Sequence, residues 1–209
     1  MNNIDFEYLQ TLAPKMPVTS VFWGCSFDGQ RLALVGYSLV KTGEYEKRKN
    51  STYLDPVTAP IVFYAGTFTG ISITRAVRMF DQITEACGLL GLGLIFKGSL
   101  GRNEIFIRHL RTLGGRHGVK LFTEGQGRHY DEMEVLAAVN DDKVEGVIRL
   151  APEFEKRPER TLLDEEIGLI DLDAKMTPLQ EAFIYGLGEW SCKKKRPKYQ
   201  IGRANISLW

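Results

Sequence analysis

Three glycine-rich stretches carry the residue types that could do chemistry in this sequence. Each follows an apolar run and precedes a segment with helical spacing, at residues 66–70, 98–103 and 124–131. If the apolar runs are parallel strands, the three turns open at one edge of a sheet, where helix N-termini suit an anion. The candidate anion-binding residues are Thr67, Thr69, Ser99, Arg102 and Arg128.

The third stretch also contains the candidate catalytic residues. Glu124, His129 and Asp131 are the groups that could act there as acid or base. A strand-to-helix turn nevertheless needs glycine and a capping hydroxyl whether or not a ligand binds. Residues 66–70 match neither the phosphate-loop pattern nor the dinucleotide pattern, and Ser99 has no nucleophile elbow around it. Whether the protein is an enzyme therefore stays open.

The cysteines and histidines do not form a metal or redox motif. The chain has 3 cysteines at wide spacing and no Cys-x-x-Cys pair, which predicts reduced thiols. The 3 histidines are scattered, and His109 falls on the apolar face of a predicted helix, where a hydrogen-bonded core histidine is expected. We therefore predict no metal and no cofactor.

The spacing of apolar residues predicts the elements that position these turns. Asp28-Gly29 between two β-rich runs predicts a hairpin of strands 18–27 and 31–40. Strands and helices then alternate, with strands at 61–65, 92–97, 119–123 and 144–150 and helices at 73–87, 103–113 and 130–139. This predicts an α/β fold: a mainly parallel sheet from βαβαβαβ over about 61–150, an N-terminal antiparallel β-hairpin, and a C-terminal appendage of one helix and one strand.

The polar segments predict the boundaries between these parts. Residues 41–60 are interpreted as an exposed loop and residues 151–166 as a charged linker. Thr177 and Gln180 form a capping-box pattern that opens a short helix to about residue 187, and a last strand is expected at 205–209. We predict an α/β domain with its hairpin at 1–150. The linker, helix and basic tail of 151–209 would pack on this core or on a neighbouring subunit.

Charge is segregated along the chain although the formal net charge is only +1. Residues 97–120 and 193–203 are basic, whereas residues 124–173 are rich in acids. Such a chain could contact nucleic acid, copies of itself or partner subunits, or its charges could simply be solvated. The candidate contact residues are Lys193, Lys194, Lys195, Arg196, Lys198 and Arg203.

Composition narrows the location and leaves two functions. No apolar run approaches the length of about 18 to 20 residues that a membrane span needs, and the first residues do not resemble a secretory signal. We expect a soluble, cytoplasmic protein with no membrane partner, or a virion protein if it is viral. The first hypothesis is a non-enzymatic structural subunit of a larger assembly, such as a viral one. The alternative is an α/β enzyme that binds a phosphorylated small molecule or nucleotide at the three turns.

Overall fold

A computed structural model provides the fold of the chain. The structure describes residues 18–47, 54–88, 94–99, 108, 112, 120–123, 137–141, 148–168 and 175–195. The six strands of this part form one sheet in the order β5-β4-β1-β2-β3-β6. They are β1 Val18–Phe27, β2 Leu32–Lys47, β3 Leu54–Phe68, β4 Leu94–Ser99, β5 Lys120–Thr123 and β6 Arg149–Leu150.

The sheet is mixed, so the predicted α/β class holds while its mainly parallel character is not confirmed. β2 pairs antiparallel with both β1 and β3, and these two ladders are the longest in the sheet. The parallel pairs, β1 with β4, β4 with β5 and β3 with β6, are shorter. The predicted hairpin at Asp28 and Gly29 is confirmed, and it forms the centre of the sheet.

The interpretation of residues 41–60 as an exposed loop is wrong. β2 runs on to Lys47 and β3 begins at Leu54, and the two strands stay paired along this length. Among the described residues, β1 pairs with β2 as far as Val40, and the pairing of β2 with β3 continues beyond that point. Residues 41–45 are exposed, and strands exposed in this way need no alternation of apolar and polar side chains. The sequence signal for a strand was therefore missing.

Helix α1, the first α-helix with described bounds, was predicted from its spacing. Helix α1, Ile73–Gly88, buries Ala76, Phe80 and Ile83 in the core, with Ile73 and Val77 partly buried beside them. These positions recur at intervals of three and four, as the amphipathic pattern requires. The helix connects β3 to β4, whose strands run in the same direction on opposite sides of the β1–β2 pair.

The interpretation of residues 151–166 as a linker is also wrong. A 3₁₀ turn at Phe154–Lys156 leads into helix α2, Pro158–Gly168. Proline fits the first position of a helix because no backbone hydrogen bond is needed there. Phe154, Leu163 and Ile167 are buried against the core. Because charged residues surround Phe154, Leu163 and Ile167, the sequence shows no clear helical spacing of apolar residues here.

Helix α3, Pro178–Lys195, begins where the capping box predicts and is longer than expected. Leu179, Ala182 and Phe183 belong to the same core as the strands. The division of the chain at residue 150 stays a prediction, although α3 itself packs on the sheet of its own chain.

Several predicted elements lie outside the described residues in whole or in part. Of the helices at 103–113 and 130–139, only positions 108 and 112 and residues 137–141 are described, and these are helical. The strand at 144–150 is described from residue 148, and its paired part is β6. The strand at 205–209 lies outside the described residues. In the described part, no helix is both long and apolar enough to span a membrane.

Candidate functional site at the carboxyl edge of the sheet

Helix α3 lies directly on the centre of the sheet because a glycine on β1 leaves room for it. A Cβ placed on Gly24 would come within 1.8 Å of the carbonyl oxygen of Ala182. One turn further along, a Cβ on Gly186 would come within 2.3 Å of the Tyr37 ring. The Tyr37 hydroxyl donates a hydrogen bond of 2.9 Å to the carbonyl oxygen of Phe183. These contacts fix the helix against both β1 and β2.

The same packing brings the first turn of α3 to the carboxyl end of β1. There the Ser26 hydroxyl donates a 2.5 Å hydrogen bond to Oε2 of Glu181. Ser26 is only 3% exposed, whereas Glu181 is half-buried. A carboxylate held in this way by a hydroxyl is a strong hydrogen-bond acceptor in a defined orientation. It can accept a proton or contribute one ligand to a cation.

A network at the start of α3 holds Glu181 in place. The Thr177 N–H donates to Oε1 of Gln180 at 2.8 Å, and the Gln180 N–H donates to Oγ1 of Thr177 at 3.2 Å, which completes the predicted capping box. The Thr177 hydroxyl also donates to Oε2 of Glu166 on α2. Gln180 Nε2 donates to the Glu166 carbonyl oxygen at 2.8 Å. The end of α2 and the start of α3 are thus joined beside the pair.

Next to Ser26, the β1–β2 turn forms a polar loop that is rigidly bonded. Asp28 accepts hydrogen bonds from the backbone N–H groups of Gln30 at 3.0 Å and Arg31 at 2.8 Å, and from the Arg31 guanidinium at 2.7 Å. Desolvation is the largest single influence and raises the pKa of the Asp28 carboxyl, but the hydrogen bonds and the Arg31 charge together outweigh it, so that the pKa lies below its ordinary value. Gly29 supplies the positive φ of 101° at the turn.

This turn meets the start of α1. The Ile71 N–H donates a 3.0 Å bond to the carbonyl oxygen of Gln30, which ties the two loops together. Ser72 caps the helix by accepting a 3.3 Å bond from the Arg75 N–H. Thr69, Ser72 and Thr74 are exposed around this helix N-terminus. We call this region, the carboxyl ends of β1, β3 and β4 with the adjoining loops 28–31 and 69–74, the carboxyl edge.

Sheet register aligns a row of small and hydroxyl residues across the carboxyl edge. Ala33 pairs with Ser26 on one side and with Thr67 on the other, and Ser26 also pairs with Ser99. Paired positions share a face of the sheet. Oγ1 of Thr67 is buried without a hydrogen-bond partner in the described part of the chain. An unsatisfied buried hydroxyl next to this site is a polar group that the fold leaves available.

The structure separates the predicted anion-binding residues. Thr69 lies in the turn, as predicted, and Ser99 is the last residue of β4. Thr67 lies within β3 instead of in a turn, because β3 continues to Phe68. These three positions share the carboxyl edge. The predicted site residues Arg102, Glu124, Arg128, His129 and Asp131 lie outside the described residues.

The predicted contact residues lie elsewhere. Lys193, Lys194 and Lys195 form the last turn of α3, at the end opposite to Glu181. Arg196, Lys198 and Arg203 lie outside the described residues. Within the described residues, Lys193–Lys195 and the carboxyl edge therefore lie at opposite ends of α3.

The sequence interpretation missed the pair of Ser26 and Glu181. The two residues are separated by 155 positions, and only packing brings them together. The available signals were local: a polar residue in an otherwise apolar strand, and an acid in the first turn of a capped helix. Among the residues described, no three histidine, cysteine, aspartate or glutamate side chains group as metal ligands.

Comparisons with known proteins give only distant likenesses. No protein-family model matches the chain, and no curated protein matches its sequence. Among solved structures, the chain is similar to Thermus thermophilus RuvC, with 12% identity, a TM-score of 0.39, and coverage of 83% of this chain and 95% of that one. It is also similar to the yeast mitochondrial Holliday junction resolvase Ydc2, with 10% identity, a TM-score of 0.39, and coverage of 93% and 90%. Likenesses at this level transfer no residue roles.

The first functional hypothesis is nevertheless contradicted by what was found. We expected a non-enzymatic structural subunit of an assembly such as a viral one, whereas the similar structures are RuvC and a Holliday junction resolvase. The hypothesis of an assembly subunit is therefore withdrawn.

Proposed function

We propose that the protein binds nucleic acid and that its carboxyl edge contacts the sugar–phosphate backbone. The observation that carries the proposal is the junction of two polar loops beside a helix N-terminus, joined by the hydrogen bond from the Ile71 N–H to the Gln30 carbonyl oxygen. The junction is exposed along residues 28–31 and at Thr69, Ser72 and Thr74.

The groups on this surface are those that bind phosphate. Proteins contact nucleic-acid phosphates through hydroxyl and amide side chains, backbone N–H groups and helix N-termini, as well as through arginine and lysine. Thr74 in the first turn of α1 and Arg78 one turn later are both exposed. Residues four apart lie on one face of a helix, so these two extend the polar surface along α1.

A negative charge added at the N-terminus of α1 tests this proposal without unfolding the protein. An acidic residue in the first turn of a helix is favourable to the helix, so Thr74→Glu should leave the melting temperature unchanged or raise it. Binding of a fluorescein-labelled oligonucleotide, followed by anisotropy at low salt, should weaken roughly tenfold, because like charges about 4 Å apart repel by about 1 to 4 kcal/mol.

The matched control is Thr161→Glu, which makes the same exchange at an exposed position on α2. Wild type and the control should bind alike, with an affinity that falls as salt rises. Equal binding by Thr74→Glu and Thr161→Glu would contradict the proposed surface. Absence of binding by the wild type would contradict the function itself.

Cleavage of the bound phosphodiester is a second candidate function, favoured by the bond between Ser26 and Glu181. Ser26 holds Oε2, which leaves Oε1 of Glu181 to accept the proton of a water molecule. That water oxygen would form the new bond to phosphorus, and the bond to the departing ribose oxygen would break, with a proton completing the leaving hydroxyl.

The Glu181→Gln variant separates cleavage from binding. General acid–base catalysis contributes roughly 10² to 10⁴ in rate, so hydrolysis of labelled linear and branched DNA should fall by at least about 100-fold. Binding should remain near that of the wild type, since the amide keeps the size of the side chain and can still accept from Ser26. Undiminished cleavage by Glu181→Gln, or no cleavage by the wild type, would exclude this second function.

A further inference from the structure

The opposite edge of the sheet carries a second feature that the carboxyl edge does not use. The outer part of the β2–β3 hairpin, residues 41–47 paired with residues 54–58, projects past the point where β1 pairs with β2. We call it the ribbon. From this geometry we propose that the ribbon is a second nucleic-acid contact, in which Tyr45 stacks on an unpaired base; the inference rests on the proposed function.

Tyr45 is the side chain that distinguishes the ribbon. It is 64% exposed, and among the described residues no other large hydrophobic side chain is exposed. Every other large aromatic side chain whose burial is described there is buried or half-buried. Proteins that bind single strands present aromatic rings to the faces of bases, since every base can stack. An aromatic ring left in water on a projecting ribbon suits that contact.

The ribbon is ordered locally, so Tyr45 is presented from a defined backbone. The ladder is irregular between Lys41 and Tyr45, and Gly43 takes a φ of 87° there. The Thr42 hydroxyl donates a 3.2 Å bond to the Val57 carbonyl oxygen and accepts a 3.3 Å bond from the Glu44 N–H. Bulges of this kind re-aim side chains on a strand. The ring is therefore held on a shaped surface and not on a loose loop.

Charge at this end of the molecule favours a polyanion. Helix α3 runs from the carboxyl end of β1 toward its amino end, as its successive contacts with Ser26 and Gly24 require. Gly186 lies over Gly24 and Tyr37. The nine residues of α3 that follow it extend about 14 Å further, at 1.5 Å per residue, in the direction of the ribbon. The ribbon itself carries Lys41 and Lys47 against the acids Glu44, Glu46 and Asp55, so the excess of basic residues at this end comes from Lys193, Lys194 and Lys195 in the last turn of α3.

The test compares single-stranded and duplex oligonucleotides of one sequence, bound by the full chain and followed by anisotropy. Stacking on one base is worth between about 5-fold and 100-fold in affinity, so Tyr45→Ala should weaken single-strand binding within that range. Tyr45→Phe keeps the ring and should bind within twofold of the wild type. Duplex binding should change much less, because paired bases are not free to stack on the ring.

A charge variant with a matched control sharpens the test. Lys41→Ala should lower the slope of log affinity against log salt by about 1, as expected for one lost phosphate contact. Lys156→Ala removes an equally exposed lysine from the 3₁₀ turn and should leave the slope unchanged. Equal slopes for these two variants would overturn the role of Lys41.

Failure of this inference can be told apart from failure of the proposed function. A wild-type protein that binds no oligonucleotide contradicts the proposed function. If the wild type binds and Tyr45→Ala binds equally well, or loses single-strand and duplex binding alike, the ribbon proposal is overturned while the proposed function stands. A change of mass by sedimentation for Tyr45→Ala would identify the ribbon as a contact between copies of the chain and would also overturn the proposal.

Discussion

The two edges of the sheet differ in how their residues are held. At the carboxyl edge, Ser26 is buried, Gly24 is covered by α3, and the first turn of that helix is bonded to α2 through Glu166. At the ribbon, residues 41–45 are exposed, and a Cβ on Gly43 would meet no atom within 4 Å. A substitution at the carboxyl edge should therefore lower the free energy of unfolding, whereas a similar substitution on the ribbon should mainly change nucleic-acid binding.

The two edges differ in their tolerance of substitution because one is closely packed and the other is exposed to solvent. The carboxyl edge positions a carboxylate by close packing of a helix on a strand, and such interiors tolerate little change of volume. The ribbon projects into solvent, where most substitutions cost less than about 0.5 kcal/mol. Four experiments, in decreasing order of expected effect, test the difference.

Gly24→Ala should be the most damaging substitution. Its Cβ would lie 1.8 Å from the Ala182 carbonyl oxygen, so α3 must move away from β1. Overpacking of this kind costs about 3 kcal/mol or more when backbone has to shift. Urea unfolding measures the change in the free energy of unfolding.

Gly43→Asn on the ribbon is the control for that experiment. Asparagine tolerates a positive φ better than other side chains with a Cβ, and the position is open. Its cost should stay well below that of Gly24→Ala. Equal losses at the two glycines would contradict the difference between the edges.

Tyr37→Phe should have the next largest effect. The substitution leaves the Phe183 carbonyl oxygen without the donor that it has in the buried Tyr37 hydroxyl. Because Phe183 lies inside α3, its carbonyl oxygen keeps its helical hydrogen bond, and loss of the second, buried bond should cost about 0.5 to 1.5 kcal/mol. Tyr45→Phe removes the same hydroxyl from an exposed ring and should leave the unfolding midpoint in place. If both variants unfold alike, the Tyr37 bond does not hold α3 on the sheet.

Ser26→Ala and Glu181→Ala, each of which removes the hydrogen bond, should be coupled in a double-mutant cycle. Their hydrogen bond is 2.5 Å long and partly buried, so we expect an interaction free energy of about 1 kcal/mol. The cycle is measured by urea unfolding of the wild type, both single variants and the double variant. Additive losses would mean that the two side chains do not act as a unit.

Asp28→Asn should have the smallest effect, and one that depends on pH. Because the pKa of Asp28 is lowered in the folded protein, its contribution is present above the unfolded value of 3.8 and is lost as the pH falls through the lower, folded pKa. The Arg31 pair is exposed, so the loss at neutral pH should be about 0.5 kcal/mol. Unfolding at pH 7 and at pH 2 measures it. A variant that is equally destabilised at both values would contradict this account.

The parts of the fold that the sequence predicts are those with local signals. The Asp28-Gly29 turn, the apolar stripe of α1 and the capping box at Thr177 and Gln180 each depend on residues a few positions apart. All three are confirmed. The projecting strands at 41–47 and 54–58 and helix α2 were missed, because exposure in one case and dense charge in the other removed the expected hydrophobic periodicity.

The candidate site was less predictable than the fold for a physical reason. Thr69 was placed correctly in a turn, since its neighbours Gly66 and Gly70 mark the end of an apolar run. Thr67 was not, because the length of β3 is set by pairing with β2 and not by its own residues. Ser26 and Glu181 meet only because Gly24 admits α3, which is a fact of packing between distant segments.

Photochemical cross-linking with peptide mapping would show whether nucleic acid contacts the carboxyl edge. The full chain would be bound to a labelled oligonucleotide, irradiated and digested, and the cross-linked peptides identified by mass spectrometry. The account predicts cross-links in the peptides that contain residues 28–31 and 69–74, lost at high salt. Binding with cross-links confined to other peptides, such as those of α2, or no binding at all, would contradict it.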